Sequence, residues 1–407
     1  MNVGLETQER LLYQSLQTGT KLSDILSLAS LSYEDFRYID SSDVKQCKDT
    51  EKHTSIDDIT PSNEGIPAVS FFSGAGGLDV GFQYAGFNNI ISIEHTELFC
   101  NTLRLNNPDK IVIGPPQYQG DISQRDDIER ILLSFGIETP FNGVFHGGPP
   151  CQSFSIAANQ RFSKNGDNFK RTGFADQEKG MLLFDYIWFI KRFKPLAFLI
   201  ENVGGITGFD DNEMIASALN DLRELGYEIE QPRVLDAAYF DVPQHRKRWI
   251  VLGTRGHKQI SYPTPNTEPM SCGPIFSKPI NNVPNHITRM HKADSVLRYM
   301  LLSPGQRDQL GRVDRLDPSK PSKTVIAGGV KGGGRSHLHP YIPRTISVRE
   351  CARLQTFPDK YTFTGTTARQ FTQVGNAVPP MLAYKLALKI KEAIFDDWTN
   401  GTLIKPD

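Results

Sequence analysis

Three short stretches of this sequence hold residue types able to carry covalent and acid-base chemistry. The first is Gly147-Gly148-Pro149-Pro150-Cys151-Gln152-Ser153. A lone cysteine is most often a small buried hydrophobe. Here glycine, proline, glutamine and serine neighbours make a rigid polar loop, a better place to present a thiol than to pack one. The second stretch, Glu201-Asn202-Val203, puts a carboxyl group after the apolar run Leu196 to Ile200; a helix-capping acid is the plainer alternative. The third is Gln244-His245-Arg246-Lys247-Arg248. Its alternation sends Gln244, Arg246 and Arg248 to one side of an extended segment, although such charge runs also serve as solvated faces. No reduction chemistry explains a set of Cys, Glu and Arg.

A second group of residues suits a ligand. Phe72-Ser73-Gly74-Ala75-Gly76-Gly77 follows an apolar run and opens a helix, a setting in which glycines let backbone approach a bound molecule closely. A nicotinamide dinucleotide fits poorly, because its fingerprint needs a third glycine where this chain has Asp79, and the Gly-Lys-Ser/Thr of a phosphate loop is missing. Glu94 ends the next strand about where an acid would bind ribose hydroxyls, and Gly120-Asp121-Ile122 adds a carboxylate able to accept from an adenine amino group. An adenosine without a pyrophosphate satisfies both acids. An ordinary tight turn with helix-capping acids is the alternative.

These residues need a scaffold that brings them together. Apolar runs at Ala68 to Phe72, Ile90 to Ile93, Gly143 to Phe145, Leu196 to Ile200 and Trp249 to Leu252 alternate with helical segments such as Met181 to Arg192 and Met214 to Leu225. That pattern predicts a doubly wound, mostly parallel α/β sheet, with the chemical residues at the carboxyl ends of its strands. Residues 1–46 read as a helical N-terminal extension, with Ser32-x-x-Asp35 as a capping box before Phe36 and Ile39. Residues 47–66 read as a polar linker. Residues 67–256 form the catalytic and cofactor-binding domain. Residues 257–343, proline-rich and dotted with Arg and Lys including Lys331 and Arg335, form a smaller irregular domain. Helical periodicity returns in 344–407.

Composition narrows the class further. The 407 residues carry 45 Lys and Arg against 46 Asp and Glu, a net charge of -1, so nucleic-acid binding would need a local basic surface. No apolar stretch approaches the ~18 residues of a membrane span, and Glu6 and Glu9 interrupt any leader-like start. A cytoplasmic protein is expected. Five cysteines without a C-x-x-C argue against a disulfide framework and against a structural metal.

The order of these motifs resembles that of the DNA cytosine-5 methyltransferases of bacterial restriction-modification type. The resemblance rests on Phe72 to Gly77, Glu94, Gly120 to Ile122, Gly147 to Ser155, Glu201-Asn202-Val203, Gln244-x-Arg246-x-Arg248, Arg344 to Pro358 and Gln373 to Pro379. It spans roughly Ala68 to Phe395 and leaves residues 1–66 outside. His95 stands where many relatives carry a tryptophan against the adenosine. What the resemblance implies is methyl transfer from S-adenosyl-L-methionine to C5 of a flipped-out cytosine in a short double-stranded DNA target.

In that scheme Cys151 adds to C6, Glu201 serves N3, Arg248 holds O2, and Arg246 either neutralises a flanking phosphate or buttresses Glu201. The cofactor residues implied are Phe72, Gly74, Gly76, Gly77, Glu94, Asp121, Ile122, Pro150, Leu182, Asn376 and Val378. Residues 257–343 become the target-recognition domain, and 344–407 return to complete the catalytic domain. A monomer on DNA and a cognate restriction endonuclease acting on the same site are expected partners in the same sense. The nearest rival is the tRNA cytosine-5 methyltransferase of the same architecture. A DNA-binding regulator with a decayed enzyme core is a further alternative, opposed by the intact Cys151, Glu201 and Arg248.

Overall fold

The computed structural model describes residues 3–39, 55–150, 181–204, 212–256, 258–310, 313–327 and 337–400. The chain forms two compact units. The larger comprises Ile56–Phe240, Arg246–Asn266 and Ala377–Asp407, and the smaller Met1–Ser55, Asp241–His245 and Thr267–Asn376.

The larger unit is built on one sheet. Its strands are β1 (Ile66–Phe71), β2 (Phe87–Ile93), β3 (Ile111–Ile113), β4 (Val144–Gly147), β5 (Ala197–Val203), β6 (Tyr227–Ile229), β7 (Arg233–Asp236) and β8 (Lys247–Arg255). They lie in the order β3-β2-β1-β4-β5-β8-β6, with β7 also paired to β8. The first five run parallel, and β8 runs antiparallel to β5, β6 and β7. Central strands such as β1 and β4 are buried almost throughout, as a sheet covered on both faces requires.

Chain order reverses between β1 and β4, and their last residues, Phe71 and Gly147, are register partners. The two loops that follow therefore emerge side by side at the switch point where open α/β sheets take their ligands. One face is packed by the helix Leu182–Phe193, whose Tyr186, Phe189 and Phe193 meet Phe71 and Phe145 in the main core. The helix Gly77–Tyr84 meets the helix Pro380–Asn400 backbone to backbone: a Cβ on Gly81 would lie 2.5 Å from the Pro380 carbonyl oxygen.

The predicted strands all form, with bounds shifted by up to three residues. Sequence reading passed over β3, β6 and β7, each too short to show a period.

The smaller unit gathers segments far apart in sequence. The helices Leu5–Thr18 and Leu22–Leu28 bury Leu11, Leu12, Leu22, Ile25 and Leu26 with Phe36, Ala293, Val296 and Met300. The capping box at Ser32 and Asp35 forms, but only a single 3₁₀ turn, Tyr33–Asp35, follows it. Fully buried Phe36 is already extended, so tertiary packing overrides the local helix signal. Two short parallel strands, β9 (Asp314–Arg315) and β10 (His337–Leu338), lie in the middle of the unit's sequence. The helices Val348–Leu354 and Thr367–Asn376 close it.

These units cut the chain elsewhere than composition suggests. Residues 344–376 pack with 267–343 because Arg349 donates to the carbonyls of Pro284, Pro358 and Tyr361. Arg353 likewise holds Ile275, Lys278 and Pro279. Among the described residues no helix is long and apolar enough to cross a membrane, and no cluster of His, Cys, Asp and Glu could hold a metal.

Candidate active site

β4 delivers Gly148-Pro149-Pro150 to the switch point; Cys151, the next residue, lies outside the described residues. Gly147 pairs with Ile200 of β5, so Gly148 sits beside Glu201. A Cβ on Gly148 would stand 2.6 Å from Glu201 Oε2. Only glycine leaves room for the carboxylate there.

Arg248 is the antiparallel register partner of Val203, which returns its side chain to the same sheet edge. Its Nε lies 2.7 Å from Glu201 Oε1. Arg246, two residues earlier, is buried, and its backbone N–H donates to Asp236 Oδ1 at 2.9 Å. The expected alternation holds: 244, 246 and 248 turn inward while His245 and Lys247 are exposed. Gln244 nevertheless belongs to the smaller unit, where it donates to Leu354 O and Gln355 Oε1 and accepts from the Val325 N–H.

Burial pushes the Glu201 carboxyl group above its ordinary range, although the positive charges of Arg248 and Arg246 pull the other way. A buried carboxyl that keeps its proton to higher pH is suited to donating it. Asn202 fixes the neighbouring loop: its Nδ2 donates to Pro149 O at 3.4 Å, and its Oδ1 accepts from the Val203 N–H at 2.8 Å. Sequence reasoning assigns Gly148 and Asn202 no separate role; their position inside Gly-Gly-Pro-Pro and Glu-Asn-Val is the only signal.

The adjoining loop carries the expected ligand residues. Phe72, Gly74 and Gly76 all have positive φ, 52°, 55° and 80°. Such a conformation is costly for phenylalanine. Phe72 is half-buried with its ring edge-on to Tyr186 at 6.3 Å. Glu94 is buried, accepting from the Gly74 N–H at 2.9 Å and the Thr96 N–H at 2.8 Å. It thus shapes the turn directly. His95 approaches Glu94 Oε1 at 3.2 Å, with its side chain 70% exposed.

Gly120 and Gly114 clasp the Glu94 carbonyl, their hypothetical Cβ atoms lying 2.3 and 2.1 Å from its oxygen. Asp121 Oδ1 accepts from the Ser123 N–H and hydroxyl. Ile122 lies in the main core, and half-buried Leu182 starts the helix that packs there.

The glycines divide by purpose. A Cβ on Gly77 would strike the Val378 carbonyl oxygen at 2.2 Å, so this glycine serves backbone packing. Gly74 faces open space, its nearest prospective neighbour 3.9 Å away. Val378 thereby lies beside the turn, whereas Asn376 ends the last helix of the smaller unit and is exposed. Asp79, in the first turn of the helix, is buried and accepts from Ser70 and Ser92 hydroxyls. A negative charge there opposes a phosphate. An open glycine face, an aromatic ring and two carboxylates fit the adenosine of S-adenosylmethionine.

Comparison with known proteins agrees. The family model for C-5 cytosine-specific DNA methylase matches residues 66–292 and 288–392. Type II methyltransferase M.MthTI of Methanothermobacter thermautotrophicus is 33% identical over 360 residues, 80% of this chain and 96% of its own. Type II methyltransferase M1.HphI of Haemophilus parahaemolyticus is 32% identical, with 82% and 87% covered. Among solved structures, a prophage-encoded DNA modification methyltransferase from E. coli superposes with a TM-score of 0.66 at 24% identity, covering 81% of this chain and 100% of its own. The S. pombe Dnmt2 methyltransferase shares the fold at a TM-score of 0.54 and 16% identity, with 81% and 99% covered. With the glycine turn, Gly148, Glu201 and Arg248 carried by one sheet and the family model matched over most of its length, the chain belongs to the C-5 cytosine-specific DNA methylases, which transfer a methyl group from S-adenosylmethionine to DNA.

Proposed function

We propose that the chain methylates a flipped-out cytosine within a short duplex target, with Cys151 as the nucleophile and Glu201, Arg248 and Arg246 as the groups that manage charge on the ring. The observation that carries this is the Glu201 carboxyl group, buried, held by Arg248 and pressed against Gly148 three residues before Cys151. Cytosine C5 is a poor nucleophile. Addition of the Cys151 thiolate to C6 makes C5 an enamine carbon. Glu201 supplies a proton or a strong hydrogen bond at N3 as negative charge builds there, and Arg248 holds O2. S-adenosylmethionine supplies the methyl group. Loss of the C5 proton and expulsion of Cys151 then restore the aromatic ring and the thiolate. Arg246, deep beside the pair, buttresses Glu201.

On the cofactor side Phe72 would face adenine, Glu94 the ribose and Asp121 the amino group, with Gly74 and Gly76 letting the backbone come close. Ile122, Pro150, Leu182, Asn376 and Val378 would complete the surround. The smaller unit would read the target. It exposes Arg289, Lys292, Arg307, Lys320 and Lys323, cations of the kind that a chain of net charge -1 needs to hold phosphates. Lys331 and Arg335 fall outside the described residues. The relatives named as type II methyltransferases support a place in a restriction-modification system; in such a system a cognate endonuclease would cut the same site, and the methyltransferase would act as a monomer.

The test is mechanism-based trapping. Duplex DNA with 5-fluorocytosine at the target, given with S-adenosylmethionine, should yield a denaturation-stable adduct with wild type and none with Cys151→Ala. An adduct from the alanine variant would place the nucleophile elsewhere. Preferential methylation of tRNA over duplex DNA would overturn the substrate assignment.

A further inference from the structure

Residues Tyr33, Glu34 and Tyr38, which lie outside the motifs of the chemistry, converge on one turn of the smaller unit. That turn, residues 339–345, is closed by the hydrogen bond from His339 N–H to Arg344 O at 2.9 Å and by a bridge between Leu338 and Thr345. It continues directly from β10.

Glu34 reaches it through Arg344. The guanidinium presents one edge to Glu34, with Nε 2.6 Å from Oε1 and Nη2 3.0 Å from Oε2. It presents the other to Glu350, with Nη2 2.8 Å from Oε1 and Nη1 2.9 Å from Oε2. Arg344 is 1% exposed and Glu350 3%, while Glu34 is 41% exposed. A planar fork gripped on two edges has little freedom to rotate.

Tyr38 reaches the same turn through Arg315 of β9. Its ring lies under the guanidinium, 3.6 Å from centroid to Cζ. Arg315 Nε donates to Pro340 O at 3.0 Å and Nη1 to Leu302 O at 2.6 Å. Tyr33 acts through His291: its hydroxyl donates to His291 O at 2.7 Å, and His291 Nε2 accepts from the Thr345 N–H at 3.1 Å. Three side chains within six residues thus each fix the turn through one intermediary.

We infer that this N-terminal segment is a positioning clamp for target engagement, holding the 339–345 turn and β9–β10 in the conformation that receives duplex DNA. This rests on the reading of the smaller unit as the DNA-engaging one. The segment belongs to the smaller unit, whereas Glu201 and the glycine turn belong to the larger, so its loss should act on DNA binding and not on the chemical step.

The experiment uses full-length Glu34→Gln, Glu34→Asp and Tyr38→Leu proteins, with methylation kinetics on target duplex, S-adenosylmethionine binding by equilibrium dialysis and bisulfite sequencing. Glu34→Gln should raise KM for duplex about tenfold, the scale of one charge-assisted hydrogen bond. Its kcat should stay within about twofold and its cofactor affinity unchanged. Glu34→Asp, which restores the charge one methylene short, should recover part of the loss.

A KM within about twofold of wild type for both Glu34→Gln and Tyr38→Leu would sink the clamp, as would an equal loss in kcat and cofactor binding. Lys320→Ala with Lys323→Ala separates the two levels of the claim. If that pair leaves DNA affinity untouched, the DNA-engaging role of the unit and the clamp fall together; if it weakens DNA binding while Glu34→Gln does not, only the clamp falls.

Discussion

Glu201 is held between opposing forces: desolvation favours its neutral form, and Arg248 and Arg246 favour the carboxylate. Burial wins, so the group keeps a proton beyond the ordinary carboxylate range. In single-turnover methylation the wild-type rate should therefore decline on the alkaline side as Glu201 loses that proton. Glu201→Gln should be slower by ~10²–10⁴, the range of general acid-base groups, and lack this limb. The shift also sets a stability sign. A carboxyl whose folded pKa is raised contributes most while protonated, below its unfolded value, and loses that contribution as pH rises through the folded value. Gly148→Ala tests the same contact from the other side, because the added methyl would displace the carboxylate from Arg248. Its turnover should fall with that of Glu201→Gln while cofactor affinity holds; a rate near wild type would remove the contact from the mechanism.

At the scale of elements, two glycines three residues apart in sequence should answer substitution differently. Gly77 lies where the helix Gly77–Tyr84 meets the backbone of Val378. Backbone cannot step aside as a side-chain end can, so Gly77→Ala should lower unfolding free energy by ~1–3 kcal/mol in urea titrations. Gly74→Ala has room for its methyl group and meets only the strain of its positive φ, on the order of 1 kcal/mol. Its methyl would instead enter the space assigned to the cofactor. Binding of S-adenosylmethionine should weaken at least about tenfold with a smaller loss of stability than in Gly77→Ala. Equal stability losses in the two variants would contradict this division between packing and binding.

Across the whole molecule, three buried histidines report on acid tolerance. Burial holds His146 and His337 down at about 4, and His339, further disfavoured by Arg344, at about 3. A depressed folded pKa means that stability is full above the unfolded value, near 6.5, and is lost as pH falls toward the folded value. Each group should cost about 1.4 kcal/mol per pH unit across that window. The three are spread over both units, so the urea midpoint should fall between pH 7 and pH 5 for the entire chain. His146→Gln should flatten part of that fall. An unchanged midpoint across the same interval would show that these imidazoles already carry their protons in the fold.

The sequence by itself determined the sheet's five main strands and the family, and put forward the candidate chemical residues, because strand-and-loop order and motifs such as Pro-Cys-Gln and Glu-Asn-Val are local and survive without knowledge of packing. It also placed Gln244, Arg246 and Arg248 on one side, since a two-residue period needs no tertiary information. Only the tertiary structure decided which glycine serves backbone packing and which faces open space, since Gly74 and Gly77 look alike until Val378 is brought beside one of them. It decided that Glu94 holds the turn through the Gly74 N–H. It also drew Glu34 onto Arg344, 310 residues away. A buried guanidinium chooses its carboxylates by proximity in the folded chain, and neither composition nor periodicity encodes a contact at that separation.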